Sequence, residues 1–364
     1  MIDTPVRREI LLTAVVVSQA AILLTMLAIL VANRVWHIVH ARSRAGHAGR
    51  VAAPLRRWLL ERGPVGGVAA ALRSLPPRRA LEQAAAVLSL RIPAEQLAEL
   101  ATAVRGERWV RRTLRRAGSR LWWRRLSAAR LLVVVGDARD RAVVRRLLND
   151  PHPAVQMAAS ACLARVSDAG LVTSLVHDLP DRPASVRLYQ FAALRERWQW
   201  TESALLRRLS AAAPPRRLVT WVDLAESLDA PRALARAVEL HAHPDPEVRT
   251  AVARACRKYP HPRSIEVLLL LLADRDWRVR GQAARALGAL GALGGDAAVP
   301  PLARAMADPA WWVRFRAGLS LALLGEPGRA ALRAVRATDD RFGREMAAMI
   351  SGLSDGGVLE LAEG

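Results

Sequence analysis

The sequence predicts an all-α protein, an α-solenoid of stacked helical hairpins preceded by one transmembrane helix. Hydrophobic residues make up 52% of the chain, but aromatic residues only 4%. Ala and Leu lose little side-chain freedom in a helix and allow neighbouring helices to approach closely, so this composition favours helix-on-helix packing. Two further observations support the prediction, a long uncharged stretch near the N-terminus and a repeat of about 31 residues.

The uncharged stretch covers residues 10–33. About 20 apolar residues in an α-helix are enough to span the ~30 Å hydrocarbon core of a bilayer. A cleaved signal peptide is the alternative, but its apolar region would have only about 7–15 residues. More basic residues follow the stretch than precede it, which places the following side in the cytoplasm. We therefore expect a single-pass protein of the inner (plasma) membrane, with its N-terminus outside and its solenoid in the cytoplasm.

The basic charge is concentrated after this stretch. The chain has a formal net charge of +22, and residues 34–120 hold 18 basic and 5 acidic side chains. We expect a short tail at 1–9, a basic juxtamembrane linker at 34–53 and an irregular helical cap of the solenoid at 54–120. Proline and glycine interrupt this last segment, which is why it is expected to be irregular.

A repeated dipeptide indicates the solenoid. A valine followed by arginine or glutamine recurs at separations of 31, 62, 31 and 34 residues, at Val155, Val186, Val248, Val279 and Val313. The doubled interval contains a degenerate copy around Leu218. A fixed period of this length is typical of repeat proteins. The sequence therefore predicts about seven repeats over 121–350 and a C-terminal tail at 351–364.

Each repeat reads as two amphipathic helices joined by a turn rich in Asp and Pro. Proline cannot continue a helix and suits the first turn of the next one. The second helix carries Ala or another small residue three to five positions after the valine, and then an apolar pair near positions seven and eight. Small residues there would let neighbouring helices approach closely, and Cys162 and Cys256 belong to such apolar pairs. We expect both to be buried as small apolar residues, since two isolated cysteines do not form a disulfide framework.

Residues 271–288, which read LLADRDWRVRGQAARALG, carry a family resemblance. They resemble HEAT repeats, and in particular the short bacterial repeats of the phycobilin lyases. The resemblance implies a ladder in which turn aspartates pair with the arginine after each valine. The residues that match are Asp150, Asp274, Asp308, Arg187, Arg249, Arg280 and Arg314. Gln156 departs from the pattern, so the ladder should be weaker there.

Stacked repeats offer one continuous concave surface, so the predicted fold implies binding of a partner rather than an activity. We expect a membrane-anchored scaffold or adaptor that binds a protein partner on this surface. The sequence has no catalytic or metal-binding motif, and we expect no enzyme activity, cofactor or small-molecule substrate. The alternatives are a HEAT-fold enzyme, lyase-like or DNA glycosylase-like, and a membrane-proximal nucleic-acid binder.

Two places are candidates for contact with a partner. One is the arginine-rich segment that contains Arg108, Trp109, Arg111, Arg112, Arg115 and Arg116. It is either a solvated basic face, a contact for anionic lipid headgroups, or a site for an acidic protein or a nucleic acid. The other is the pair Trp311 and Trp312 at the start of a second helix. These rings either face outward as an anchor or pack on a neighbouring repeat.

Overall fold

The computed structural model describes residues 49–61, 63–87, 92–291 and 295–363, together with positions 19, 26 and 34. These residues form helices joined by turns, and none of them lies in a strand. The chain divides into two compact units, Met1–Gly136 and Asp137–Gly364.

The described part of the first unit contains five labelled helices, and residues 49–60 are also helical. The helices are α1 (Val65–Arg73), α2 (Pro77–Val87), α3 (Ala94–Arg105), α4 (Arg108–Arg115) and α5 (Trp122–Val135). Helix α5 packs against α2, α3 and α4, and α1 packs against α3. Their apolar residues share one core, which includes Trp58, Leu72, Leu100, Val110 and Leu131. The first unit therefore has a hydrophobic core of its own.

The described residues of the second unit form seven helix pairs, the short helix α8 that follows α7, and a last single helix. The bounds are α6 (Arg141–Leu148), α7 (Pro153–Ser160), α8 (Leu163–Val166), α9 (Ala169–Asp178), α10 (Ala184–Arg195), α11 (Trp198–Leu206), α12 (Pro215–Leu228), α13 (Pro231–Val238), α14 (Pro246–Lys258), α15 (Pro262–Leu271), α16 (Trp277–Leu290), α17 (Gly295–Ala305), α18 (Trp311–Leu323), α19 (Gly325–Arg336), α20 (Arg341–Ser351) and α21 (Asp355–Glu363). Residues 351–364, expected to be a tail, thus contain helix α21.

These helices lie in two layers. The second helices α7, α10, α12, α14, α16, α18 and α20 pack side by side, each on the next. The first helices form the other layer, in which α6, α9, α11 and α13 are in succession, as are α15, α17 and α19. Each repeat packs on its neighbours, which is the architecture of an α-solenoid.

The turns explain where the helices begin. Helices α7, α12, α13, α14 and α15 have proline in their first turn, where the missing backbone N–H is not needed. Asp168, Asp245, Asp276 and Asp340 precede α9, α14, α16 and α20, and each side chain accepts a hydrogen bond from a first-turn amide. Such N-caps satisfy donors that the helix itself leaves unpaired.

Small residues set the spacing of the second helices. A Cβ atom added to Gly288 of α16 would lie 2.4 Å from Ser320 Oγ and 2.7 Å from Ser320 Cα of α18. The Ser320 hydroxyl in turn donates to the Ala284 carbonyl across the same contact, at 2.7 Å. Backbones that approach this closely leave no room for a side chain at position 288.

The expectation for the two cysteines is confirmed. Cys162 and Cys256 are free thiols and both are buried. Burial raises the pKa of each thiol to about 12, because the thiolate would lose its hydration. Both therefore act as small apolar residues in the second-helix layer.

No helix in the described part of the chain is long and apolar enough to cross a membrane. The longest labelled helices have 14 residues, about 21 Å at 1.5 Å per residue, which is short of the ~30 Å hydrocarbon core. This finding contradicts the predicted localisation, a single-pass inner-membrane protein, and we withdraw that prediction. The stretch 10–33 on which it was based lies outside the described residues, apart from positions 19 and 26.

Replacement of Gly288 by alanine tests the close approach of α16 and α18. We expect Gly288→Ala to lower the free energy of unfolding by about 1–3 kcal/mol, because the added methyl group meets the backbone of Ser320. Gly281→Ala in the same helix is the control, since its Cβ would meet Arg316 Cδ only at an ordinary 3.6 Å. That variant should keep or gain stability, because alanine is the better helix former. Urea denaturation measures both, and equal stabilities would contradict the prediction.

Candidate partner-binding surface and pocket

Two arginines link consecutive repeats through paired hydrogen bonds. Arg249 Nε and Nη2 donate to the carboxylate of Asp274 at 2.6 and 2.8 Å. Arg280 makes the same two contacts with Asp308, at the same distances. Each arginine belongs to one second helix, and each aspartate lies in the turn of the following repeat. The contact is planar and bidentate, which fixes the orientation of one repeat on the next.

The same arginines also hold the turn of their own repeat. Arg249 Nη1 donates to the carbonyl oxygens of His243 and Pro244, at 2.8 and 2.9 Å. Arg280 contacts the carbonyl oxygens of Asp274 and Arg275 in the corresponding way. One guanidinium group therefore connects its own helix with two turns, through backbone carbonyls of its own turn and the aspartate carboxylate of the next turn.

Among the described residues, Arg187 and Arg314 make no such link to a carboxylate of the next repeat. Arg187 donates to the carbonyl of Arg182 in its own turn. The next inter-helix turn, residues 210–215, has no aspartate for it to reach. Arg314 holds its own turn through the carbonyl oxygens of Asp308 and Pro309, and its guanidinium lies 5.2 Å from the centre of the Phe342 ring. Arg314, the last arginine of the predicted ladder, thus makes a cation–π contact in place of a salt bridge.

Asp150 and Gln156 show what remains of the pattern in the first repeat of the second unit. Asp150 Oδ1 accepts from the His152 amide at 2.9 Å, as Asp274 and Asp308 accept from amides two residues later. Gln156 Nε2 donates to the Asp150 carbonyl at 2.6 Å. In later repeats an arginine side chain makes the corresponding hydrogen bond to its own turn. Glutamine therefore preserves the link to its own turn, although it is shorter than arginine.

The arginine-rich segment covers α4 of the first unit and its C-cap residue Arg116, and this helix has one buried face and one basic face. Arg108, Arg111, Arg112 and Arg115 are exposed, and Arg116 is half-buried. Trp109, which we expected at a contact surface, is only 7% exposed and belongs to the core of the first unit. It lies beside Val110 and Thr113 on the buried face, so the exposed face of this helix offers charge without an aromatic ring.

Exposed aromatic residues mark the beginning of three consecutive second helices. Trp277 is the first residue of α16, Trp311 and Trp312 open α18, and Phe342 is the second residue of α20. Their exposed fractions are 45%, 45%, 51% and 60%. Because α16, α18 and α20 are adjacent, these residues lie along one edge of the layer. We call this set of four residues the aromatic edge.

The centre of the aromatic edge is a packed group of rings. Trp311 stacks on Phe315 with ring centres 4.9 Å apart, and it meets Trp312 edge-on at 4.8 Å. Both tryptophans therefore face outward and pack on each other and on their own helix. Rings fixed in this way lose little further freedom when they bind something.

Helix α21 covers part of the surface of the second helices. Helix α18 has α16 and α20 at its sides and α17 and α19 behind it, and α21 packs on it as well. Helix α21 therefore lies on the side of α18 that faces away from the first-helix layer, which we call the second-helix face. Ser354 Oγ caps the start of α21 by accepting from the Gly357 amide at 3.2 Å. Near its end the Ala362 carbonyl accepts from Arg285 Nε at 3.1 Å.

A cavity of about 610 Å³ lies between α21 and the second helices. Its lining is Arg285, Ala289, Trp311, Trp312, Phe315, Arg316, Leu319, Ser320, Leu323, Glu360, Leu361 and Ala362. Burial lowers the pKa of Arg316, and the neighbouring charge of Arg285 lowers it further. The sequence did not reveal this site, because the cavity exists only where α21 packs on the second helices. The apolar residues Val358 and Leu361, which follow a serine N-cap, could have indicated a helix at this position.

The charged residues farther along the second-helix face are paired. Arg254 of α14 contacts Asp223 of α12 at 2.5 Å, and Arg257 contacts Glu226 at 3.1 Å. Among the described residues, no group of three or more His, Cys, Asp or Glu side chains could hold a metal ion.

Removal of Arg280 tests the ladder. We expect Arg280→Ala to lower the free energy of unfolding by about 2–4 kcal/mol, because a largely buried Asp308 would keep its charge without its partner. The control is Arg278→Ala, two residues earlier, whose contact with Glu247 is solvent-exposed. It should cost clearly less, since exposed ion pairs contribute little. Chemical denaturation of both variants is the measurement, and equal losses would argue against the ladder.

The ladder should also respond to acid. Burial of Asp274 opposes its ionisation, yet hydrogen bonds from Arg249 and from the Asp276 amide hold its pKa below the ordinary value. A lowered folded-state pKa stabilises the protein above the ordinary pKa of about 3.9, and this contribution is lost as the pH falls through the folded-state pKa. The stability difference between wild type and Asp274→Asn should therefore be full near about pH 6 and shrink toward about pH 3. A difference independent of pH would contradict this origin.

The chain is similar to known repeat proteins. Two overlapping segments, residues 202–288 and 265–351, match the family model for HEAT repeats. No curated protein matches the chain by sequence. The crystal structure of a Kap121p mutant is similar in fold, with a TM-score of 0.55 and 12% identity over 85% of this chain. The match spans 40% of that protein's chain, and at this identity the likeness concerns the fold alone.

Two further crystal structures are more distant. An engineered protein has a TM-score of 0.34 and 18% identity, with 83% of this chain and 97% of its own chain covered. YibA of Escherichia coli has a TM-score of 0.38 and 12% identity, with 77% and 98% covered. The match to the family model confirms the predicted HEAT repeats for residues 202–351. A fold of stacked helical repeats is typical of scaffolds for protein interactions.

Proposed function

We propose that the second unit is a scaffold that binds a protein partner through the aromatic edge and the adjoining second-helix face. The aromatic edge is the observation that carries the proposal. Three neighbouring repeats each expose at least one large aromatic ring at the same structural position, the first turn of the second helix. A chain with only 16 aromatic residues (11 Trp, 2 Tyr and 3 Phe) places four of them there.

Exposed rings are costly in water and are the residues that most often anchor protein interfaces. A contiguous apolar patch surrounded by polar residues is a common mark of an interaction site. The stacking of Trp311 on Phe315 holds the central rings in place before binding, which lowers the entropy lost on association. These features support a preformed anchor for a protein rather than a catalytic site.

Charge suggests what kind of partner this would be. The chain has 55 basic and 33 acidic residues, so its long-range field attracts acidic surfaces. On the second-helix face, Arg285 and Arg316 add positive charge close to Trp311 and Trp312. We infer that the partner presents an apolar group surrounded by acidic residues. Charges of this arrangement mainly raise the rate and specificity of association.

A comparison of tryptophan variants tests the proposal. The tagged full chain is crosslinked in cells of its native host, and the captured proteins are quantified by mass spectrometry. We expect one stoichiometric partner with wild type, and at least about tenfold less of it with the double variant Trp311→Ala and Trp312→Ala, since anchor residues contribute 2 kcal/mol or more each.

Trp198→Ala is the matched control. Trp198 is a similarly exposed tryptophan, at 48%, but it opens α11 in the first-helix layer. Its replacement should leave capture unchanged. Urea denaturation of both variants verifies that they are folded. Undiminished capture by the double variant, or equal loss with Trp198→Ala, would refute the proposal.

A further inference from the structure

Helix α21 occupies part of the surface that the proposed partner would bind. It packs on the second-helix face of α18, and the cavity beneath it is lined by Trp311 and Trp312 as well as by Leu361 of α21 itself. Two of the four residues of the aromatic edge therefore lie against the cavity that α21 covers. A protein that binds these rings and the adjoining second-helix face meets α21 on the same surface.

Helix α21 is only weakly stabilised in this position. It has nine residues, a length at which an isolated helix is marginal in water. Gly356 and Gly357 in its first turn lower its helix propensity further. Among its described side chains only Val358 is buried, whereas Leu359 and Leu361 stay exposed. The cavity of about 610 Å³ leaves part of the contact with the second helices unpacked, so α21 loses the attraction of close neighbours there.

The chemistry of α21 is the complement of the face that it covers. Residues 352–364 contain three acidic side chains and no basic one, in a chain whose net charge is +22. Glu360 lines the cavity together with Arg285 and Arg316, and Arg285 also donates to the Ala362 carbonyl at 3.1 Å. Opposite charges around an apolar contact help to fix the register of the two surfaces. The face therefore accepts a short helix that combines apolar residues with carboxylates.

We propose that this part of the second-helix face is a docking groove for an acidic amphipathic helix of the protein partner, and that α21 occupies the groove until the partner helix replaces it. Amphipathic helices commonly bind grooves through apolar residues three or four positions apart, and Val358 and Leu361 have this spacing. A tethered segment acts at a high effective concentration, so only the molecules with an open groove bind the partner. This inference rests on the function proposed above, because the partner of the aromatic edge would carry the helix.

Binding of a synthetic peptide to the full chain tests the proposal. The probe is a fluorescein-labelled peptide of residues 352–364, with Gly356→Ala and Gly357→Ala to raise its helicity, and fluorescence anisotropy measures its binding. In the chain, Val358→Asp should release α21, because a charge at this buried position opposes docking. We expect that chain to bind the peptide at least about tenfold more tightly than wild type.

The opposite change in the chain should have the opposite effect. Gly356→Ala should strengthen α21, because alanine is the better helix former and a Cβ atom at this position meets no atom within 4 Å. We expect this chain to bind the peptide up to about fivefold more weakly than wild type. The matched control is Gly66→Ala, since Gly66 is the second residue of α1, as Gly356 is of α21, and its Cβ would also meet no atom within 4 Å. It should leave peptide binding as in wild type.

A second control concerns the peptide. With Val358→Ser and Leu361→Ser, the peptide should bind at least about tenfold more weakly to the Val358→Asp chain, because it loses its apolar anchors. Circular dichroism and urea denaturation verify that each chain is folded. The proposal is overturned if the Val358→Asp chain does not bind the peptide, if it binds the serine-substituted peptide equally well, or if Gly66→Ala weakens binding as much as Gly356→Ala.

Two further outcomes separate this proposal from its alternatives. If Val358→Asp chains associate with one another in sedimentation experiments and do not bind the peptide, the occupant of the groove is a second copy of the chain, and the proposal is overturned. The function proposed above fails on a different result, namely undiminished capture of the partner by the chain with Trp311→Ala and Trp312→Ala. Loss of that capture without any peptide binding would retain the scaffold and refute only the helix groove.

Discussion

A helix pair of about 31 residues cannot bury its own apolar face, and this constraint governs the second unit. Each second helix between α7 and α20 is covered by its two neighbours in the layer and by the first helices behind it. The stability of one repeat is therefore a property of its contacts with the next. The bidentate links of Arg249 to Asp274 and of Arg280 to Asp308 add direction to this stacking, because a planar fork accepts its partner in one orientation.

The period and the turn chemistry made the solenoid predictable. Valines spaced by 31 residues fix which face of each second helix is buried, and Asp or Pro in the turns fixes where the helices begin. Two of the ladder links also followed from the family resemblance. The ladder links that do not form also have a physical reason. The turn after Arg187 lacks an aspartate, and the guanidinium group of Arg314 packs on the Phe342 ring of the following repeat.

What the sequence did not predict depends on tertiary contacts. Helix α21 has Gly356 and Gly357 in its first turn, which lowers its intrinsic helix propensity, and its packing on α18 stabilises it instead. The juxtaposition of Arg285 with Arg316 brings together residues 31 positions apart on two helices, and it becomes a pocket only under α21. Trp109 was expected at a contact surface because arginines surround it in the sequence. The structure places it in the core, together with its neighbours on the same helix face.

Native-state hydrogen exchange along the second unit tests most directly whether stacking of the second helices holds the solenoid together. The slowest exchange is expected in α14, α16 and α18, where the ladder and the small residues join neighbouring repeats. Helix α21 should exchange faster than the α18 surface that it covers. Exchange in α16 and α18 as fast as in the first helices α15 and α17 would contradict the account, because stability would then not reside in the contacts between second helices.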